Sequence, residues 1–123
     1  MATHPDAESF PGLVIYRFDA SLVFFNADHF KSRAKTVVQE ALAPVRYFLL
    51  DAETMPYLDT TGAASLDQVC GDLEDKGIAM AVAAAKSPVR TMLDRTGLVG
   101  RLGPNRMFPT VASAVDTLSR ATP

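Results

Sequence analysis

The spacing of apolar residues changes period several times along the chain, and each change marks an element. Gly12–Phe18 ("GLVIYRF") is β-branched and aromatic and predicts a strand. Asp19–Ser21 reads as a short turn, and Leu22–Phe25 ("LVFF") as a second strand. So short a link requires an antiparallel pair, because a parallel return needs a long crossover. From Asn26, the expected cap, the period becomes helical. Phe30, Ala34, Val37, Val38 and Ala41 share one stripe, and Pro44 closes the segment. Arg46–Ala52 ("RYFLLDA") has the unbroken apolar character of a buried strand, and Pro56 in the next loop argues against its continuation.

A second helix is predicted after Asp59, with Leu66, Val69, Cys70 and Leu73 on its inner face and Gly77 as its left-handed stop. Ile78–Ala85 ("IAMAVAAA") is rich in alanine, but it is short, apolar throughout and bounded by Gly77 and Pro88, which predicts a strand. Ser87 followed by Pro88 is a helix start with a hydroxyl cap, and that helix should run to about Thr96, before Gly97. "LVGRLG" and "PNRMFP" read as loop with a short strand at Arg106–Phe108. Thr110 should cap a last helix with Val111, Ala114, Val115 and Leu118 facing inward. An initial hairpin followed by alternating strands and helices implies an α/β fold with a mixed, largely parallel sheet. Residues 1 to about 10, with their prolines, small residues and charges, read as a flexible leader or linker, and residues 11–123 as one domain.

Composition adds mainly exclusions. A chain of 123 residues, 48% hydrophobic and 21% charged, fits one small globular domain able to fold unaided. No apolar run approaches the ~18–20 residues that span a bilayer, and the N-terminal stretch lacks the apolar core of a secretory signal, so a cytosolic location is expected. One cysteine, Cys70, and two histidines, His4 and His29, make a disulfide or a structural zinc site an unsuitable reading. The net charge of −2 conceals an asymmetry: Lys86–Arg106 carries +4 and the remainder −6. Lys86, Arg90, Arg95 and Arg101 are therefore candidates for contact with anions or lipid headgroups, set against the plainer reading of scattered solvated cations.

Catalytic signatures do not assemble. The phosphate loop G-x-x-x-x-G-K-[ST] is absent, and "GLVGRLG" follows a helix instead of a strand. Two histidines support no Ser-His-Asp set, and Glu74 and Asp75 look like a solvated helix end. "YFLLDAETMP" with "AKSP" has the flavour of a two-component receiver domain. However, Met55-Pro56 lies one residue too far from Asp51, and no acidic pair follows the first strand to hold Mg²⁺.

The informative stretch is "LDTTGAAS". Asp59 suits the cap of the second helix, where it accepts from the N–H of Thr61 or Gly62 and its charge complements the helix dipole. Capping alone leaves Thr60, Thr61 and Gly62 unexplained, because two threonines and a glycine are mediocre helix formers. Gly62 makes sense where another backbone approaches closely, and Thr61 is placed where an added phosphate would change the surface without breaking the fold.

"PGLVIYRFDASLVFFNADHFK", "YFLLDAETMPYLDTTGAASLDQV", "GIAMAVAAAKSPVRTMLDRTGLVGRLG" and "FPTVASAVDTL" together resemble the STAS domain at the cytosolic C-terminus of SulP anion transporters. The looser parts are shared with anti-sigma-factor antagonists. The resemblance implies a sheet of four to five strands with an N-terminal hairpin and about four helices mainly on one face. It implies no enzymatic activity and no obligatory cofactor, with GTP, GDP or ATP as a regulatory ligand of some members. In the antagonists a serine in Asp-Ser-Ser-Gly is phosphorylated to control partner binding, and that position falls on Thr61, beside Asp59, Thr60 and Gly62. The implied partners are the transmembrane part of a parent sulfate or anion transporter, other proteins or a second copy, and not nucleic acid. The alternative is a free-standing antagonist acting as a phosphorylation switch.

Overall fold

A computed structural model describes residues 6–41 and 44–121 of the protein. Its elements are β1 (Ala7–Phe10), β2 (Gly12–Arg17), α1 (Ala27–Gln39), β3 (Val45–Asp51), α2 (Thr60–Glu74), β4 (Ala79–Ala83), α3 (Ser87–Arg95), α4 (Leu98–Leu102), a 3₁₀ turn (Pro104–Arg106), β5 (Met107–Phe108) and α5 (Val111–Ala121). The five strands form one sheet in chain order. Strands β1 and β2 pair antiparallel, and every later pair is parallel.

Parallel neighbours in chain order need crossovers of one hand, which places the connecting helices on one face of the sheet. Accordingly Phe30, Ala34 and Val37 of α1, Leu66, Val69 and Leu73 of α2, Val89 and Leu93 of α3 and Leu98 of α4 pack on Val14, Tyr16, Phe48, Leu50, Met80 and Val82. The opposite face is covered by α5, whose Ala114 and Leu118 meet Leu13, Ile15, Leu49, Ala81 and Ala83. The unbroken apolar runs of β2, β3 and β4 follow from this two-sided burial. Gly77, at φ +75, stops α2 as expected, and the N–H groups of Gly77 and Ile78 bond back to the carbonyls of Glu74 and Leu73.

Several local expectations are corrected. The expected hairpin of Gly12–Phe18 with Leu22–Phe25 does not form; the N-terminal hairpin instead pairs Ala7–Phe10, inside the segment expected to be leader, with Gly12–Arg17. Its polar residues Glu8 and Ser9 suit an exposed edge strand. The remainder of that leader, residues 1–5, lies outside the described residues. "LVFF" is not a strand. Leu22 makes a single parallel bridge to Leu58, and Phe24 and Phe25 both face outward, which no one-sided strand permits. Asn26 occupies the N-cap position of α1 but does not cap it. Its side chain accepts from the Val23 N–H at 2.9 Å and donates to the Ser21 carbonyl, holding the preceding loop. Lys86, not Ser87, is the N-cap of α3, and Pro88 follows within the first turn. "LVGRLG" forms the one-turn α4, started by Gly97 at φ +79.

Candidate functional site

The parallel strands β2, β3 and β4 all end at the same edge of the sheet, with Arg17, Asp51 and Ala83 in register. Loops that leave this edge are the usual place for recognition in open α/β sheets. Two of them, residues 18–26 and 52–59, are laced together. The Leu22 N–H donates to the Tyr57 carbonyl at 3.0 Å, and the Asp59 N–H donates to the Leu22 carbonyl at 3.2 Å. The Asp59 carboxylate completes the joint. One oxygen accepts from the Gly62 N–H at 2.7 Å, the expected cap, and the other accepts from the Phe24 N–H at 3.0 Å. Asp59 therefore fixes two segments with one side chain.

Gly62 has the close backbone neighbour that its position demanded. A Cβ there would lie 2.1 Å from the Leu22 carbonyl oxygen and 2.9 Å from Leu58 Cδ1. The tight approach leaves Leu22 and Leu58 fully buried beneath the turn. Thr60 and Thr61, by contrast, are exposed. They are the first two helical residues, so their N–H groups have no intrahelical acceptor. The turn is thus rigid underneath and open on top. Beside it, Phe24 and Phe25 are 73% and 76% exposed and meet edge to face at 5.6 Å.

The basic segment does not gather into one site. Lys86, Arg90 and Arg95 are exposed along α3. Arg101 departs from the expected anion-contact group. The short α4 carries it over α2, where its guanidinium meets Glu74 at 2.7 Å and Asp67. Those two carboxylates raise its pKa further and hold it in place. Arg106 lies 5.2 Å over the Tyr47 ring. Ala84, at the end of β4, has φ +59, a strained value for a residue with a Cβ.

Two hollows lie elsewhere. One of about 320 Å³ is lined by Cys70, Glu74, Met80, Arg101, Leu102 and Arg106. A groove of about 580 Å³ runs between α1 and α2, past Lys31, Lys35, Val69, Leu73 and Lys76. Neither is lined by any residue of the Asp59–Gly62 turn. Cys70 is buried, and burial pushes its thiol up, so it belongs to the core. Among the described residues no cluster of three or more His, Cys, Asp or Glu side chains is placed to hold a metal ion. Among them, too, no helix is long and apolar enough to cross a membrane.

A family model matches most of the chain. That model describes the STAS domain and matches residues 4–114. The chain belongs to this family. A probable sulfate transporter of Mycobacterium tuberculosis is 38% identical over 117 residues, covering 95% of this chain. The STAS domain described here spans about a fifth of that relative's length, 21%. Its fold is that of the SulP transporter STAS domain from Vibrio cholerae, with a TM-score of 0.75 at 20% identity over 92% of this chain and 86% of that one. It is equally that of a candidate anti-sigma factor antagonist from Thermotoga maritima, with a TM-score of 0.76 at 16% identity over 92% of each.

Sequence reasoning placed the Asp59–Gly62 turn but missed the aromatic pair beside it. A signal was present. In "SLVFFNAD" two adjacent phenylalanines cannot both point to one side of a strand, so one at least had to face away from the core.

Proposed function

We propose that this STAS domain is the regulatory, non-catalytic cytosolic domain of a sulfate transporter of the SulP type. It acts on the assembly, trafficking or gating of a membrane part, and the Asp59–Gly62 turn is its contact and control surface. The observation that supports this most is the 38% identity to a probable sulfate transporter along 95% of the chain. The physics of the turn agrees. Asp59 and Gly62 are held by backbone contacts, so Thr60 and Thr61 are presented without cost to the fold. A phosphate on Thr61 would add about −1.5 to −2 charges at an open helix start and change the docking surface while leaving the core alone. Lys86, Arg90 and Arg95 remain a strip for headgroups on the outer side of α3. Arg101 is withdrawn from that role by its ion pairs. A guanine or adenine nucleotide acting as a regulatory ligand at the 320 Å³ hollow would have to compete with the ion pairs of Arg101 and the ring contact of Arg106.

The second reading is a free-standing antagonist, supported by the likeness in fold to the Thermotoga maritima protein. Sulfate uptake by cells carrying the full reading frame separates the two. In the first reading Thr61→Glu lowers uptake at unchanged membrane level, while Thr61→Ser preserves it. Unchanged uptake by Thr61→Glu counts against the turn as a control surface. A reading frame without membrane spans removes the transporter reading.

A further inference from the structure

Phe24 and Phe25 need an explanation that the fold does not supply. Both lie at the edge where the parallel strands end, both are about three-quarters exposed, and among the aromatic rings of the described residues they pack on each other. Their backbone is not loose. The Phe24 N–H is held by Asp59, and the Asn26 side chain clamps Ser21 and Val23 just before them. Tyr57, 48% exposed, belongs to the neighbouring loop whose carbonyl binds the Leu22 N–H. Rigid aromatic groups displayed in this way are the residues that most often anchor protein interfaces.

The charge around them leans acidic, with Arg17 and Lys31 as the flanking cations. Residues 18–29 and 52–61 contain Asp19, Asp28, Glu53 and Asp59 and no lysine or arginine. The Asp28 side chain is 99% exposed, although Lys31 reaches it at 3.3 Å, and Arg17 partners Asp19. An acidic rim opposes docking on an anionic leaflet. It suits a segment rich in lysine and arginine, and cytosolic loops of membrane proteins carry such an excess. The relative of known length is about five times longer than this domain, so most of that protein lies outside it.

Building on the transporter reading above, we propose that Phe24 and Phe25 are the anchor by which this domain seats a Lys/Arg-rich cytosolic loop of the membrane part. The acids around them set orientation, and the pair fills an apolar recess between the basic residues. The Asp59–Gly62 turn borders the same seat, so a charge added at Thr61 repels or reorders the loop instead of acting at a distance.

The test uses the full polypeptide in cell membranes, with benzoylphenylalanine at position 25, illumination, and mapping of the adduct by mass spectrometry. A matching probe at position 35, in the α1–α2 groove, serves as reference. The expected result is an adduct to a cytosolic loop bearing several lysines or arginines, at about ten times the yield from position 35. Asp28→Lys should lower that yield about fivefold, since opposed charges then become like charges. Adducts to lipid, to a second copy of this domain, to an acidic segment, or none above the reference, each overturn the anchor proposal while the membrane location of the polypeptide still upholds the transporter reading. Recovery of the full polypeptide in the soluble fraction overturns both.

Discussion

Two regions stood out by composition, the Asp59–Gly62 turn and the basic stretch from Lys86 to Arg106, and the fold treats them in opposite ways. The turn is built from short-range geometry. Asp59 bonds two backbone segments, Gly62 admits the Leu22 carbonyl, and the threonines are left outward. The basic stretch is only a sum of charges along the chain. Its members diverge onto α3, onto α2 through Arg101, and onto the Tyr47 ring through Arg106. A locally built turn is therefore better announced by residues that are poor choices for their element than a surface patch is by a local excess of one charge.

The largest effect that bears on this contrast belongs to Gly62→Ala. Its new methyl would meet a carbonyl oxygen at 2.1 Å, and urea unfolding should show a loss of about 3 kcal/mol, the upper end of what overpacking costs. A loss below about 1 kcal/mol would mean that the two loops part easily and the turn is not rigid.

Next comes the core on the helix-covered face of the sheet. Tyr16 packs on Phe18, Phe30 and Phe48, and its pKa is pushed up to about 12 by burial first and the nearby Asp6 second. Because the folded-state value lies above the ordinary one, the stabilisation is complete below pH 10 and is lost as pH rises towards 12. The change is roughly 2–3 kcal/mol over that window, seen as a falling urea midpoint that Tyr16→Phe abolishes.

Asp59→Ala removes a cap and an inter-loop bond together and should cost about 1.5 kcal/mol, more than a simple exposed cap. Arg101→Ala, on the other side of the comparison, loses two half-exposed ion pairs and should cost less than about 1 kcal/mol. A larger cost there would make the basic stretch a structural keystone. Thr61→Glu should change stability by less than about 0.5 kcal/mol, because an acid at a helix start is tolerated.

What was legible in the sequence divides along the same line. The strands β3 and β4 were readable because burial on both faces leaves continuous apolar runs, and α2 because its cap, stripe and stop agree. Gly62 was readable because a glycine in the first turn of a helix has a cost that needs a cause. The edge strand β1 was not, since a polar four-residue strand carries no period-2 signal and is made by pairing with β2. The same holds for "LVFF", where β propensity was overridden by the bond from Asp59 to the Phe24 N–H, a contact between residues 35 apart in sequence.

In the proposed transporter setting, the turn and its aromatic neighbours are covered by another part of the parent protein. Amide hydrogen exchange compares this domain alone with the same residues in the full membrane-bound polypeptide. The N–H groups of Thr60 and Thr61 lack intrahelical acceptors, so they should exchange freely in the isolated domain. Residues 22–28 and 57–62 should be slowed in the full polypeptide, while the α1–α2 groove is unchanged. Equal exchange of the turn in both forms would contradict that cover.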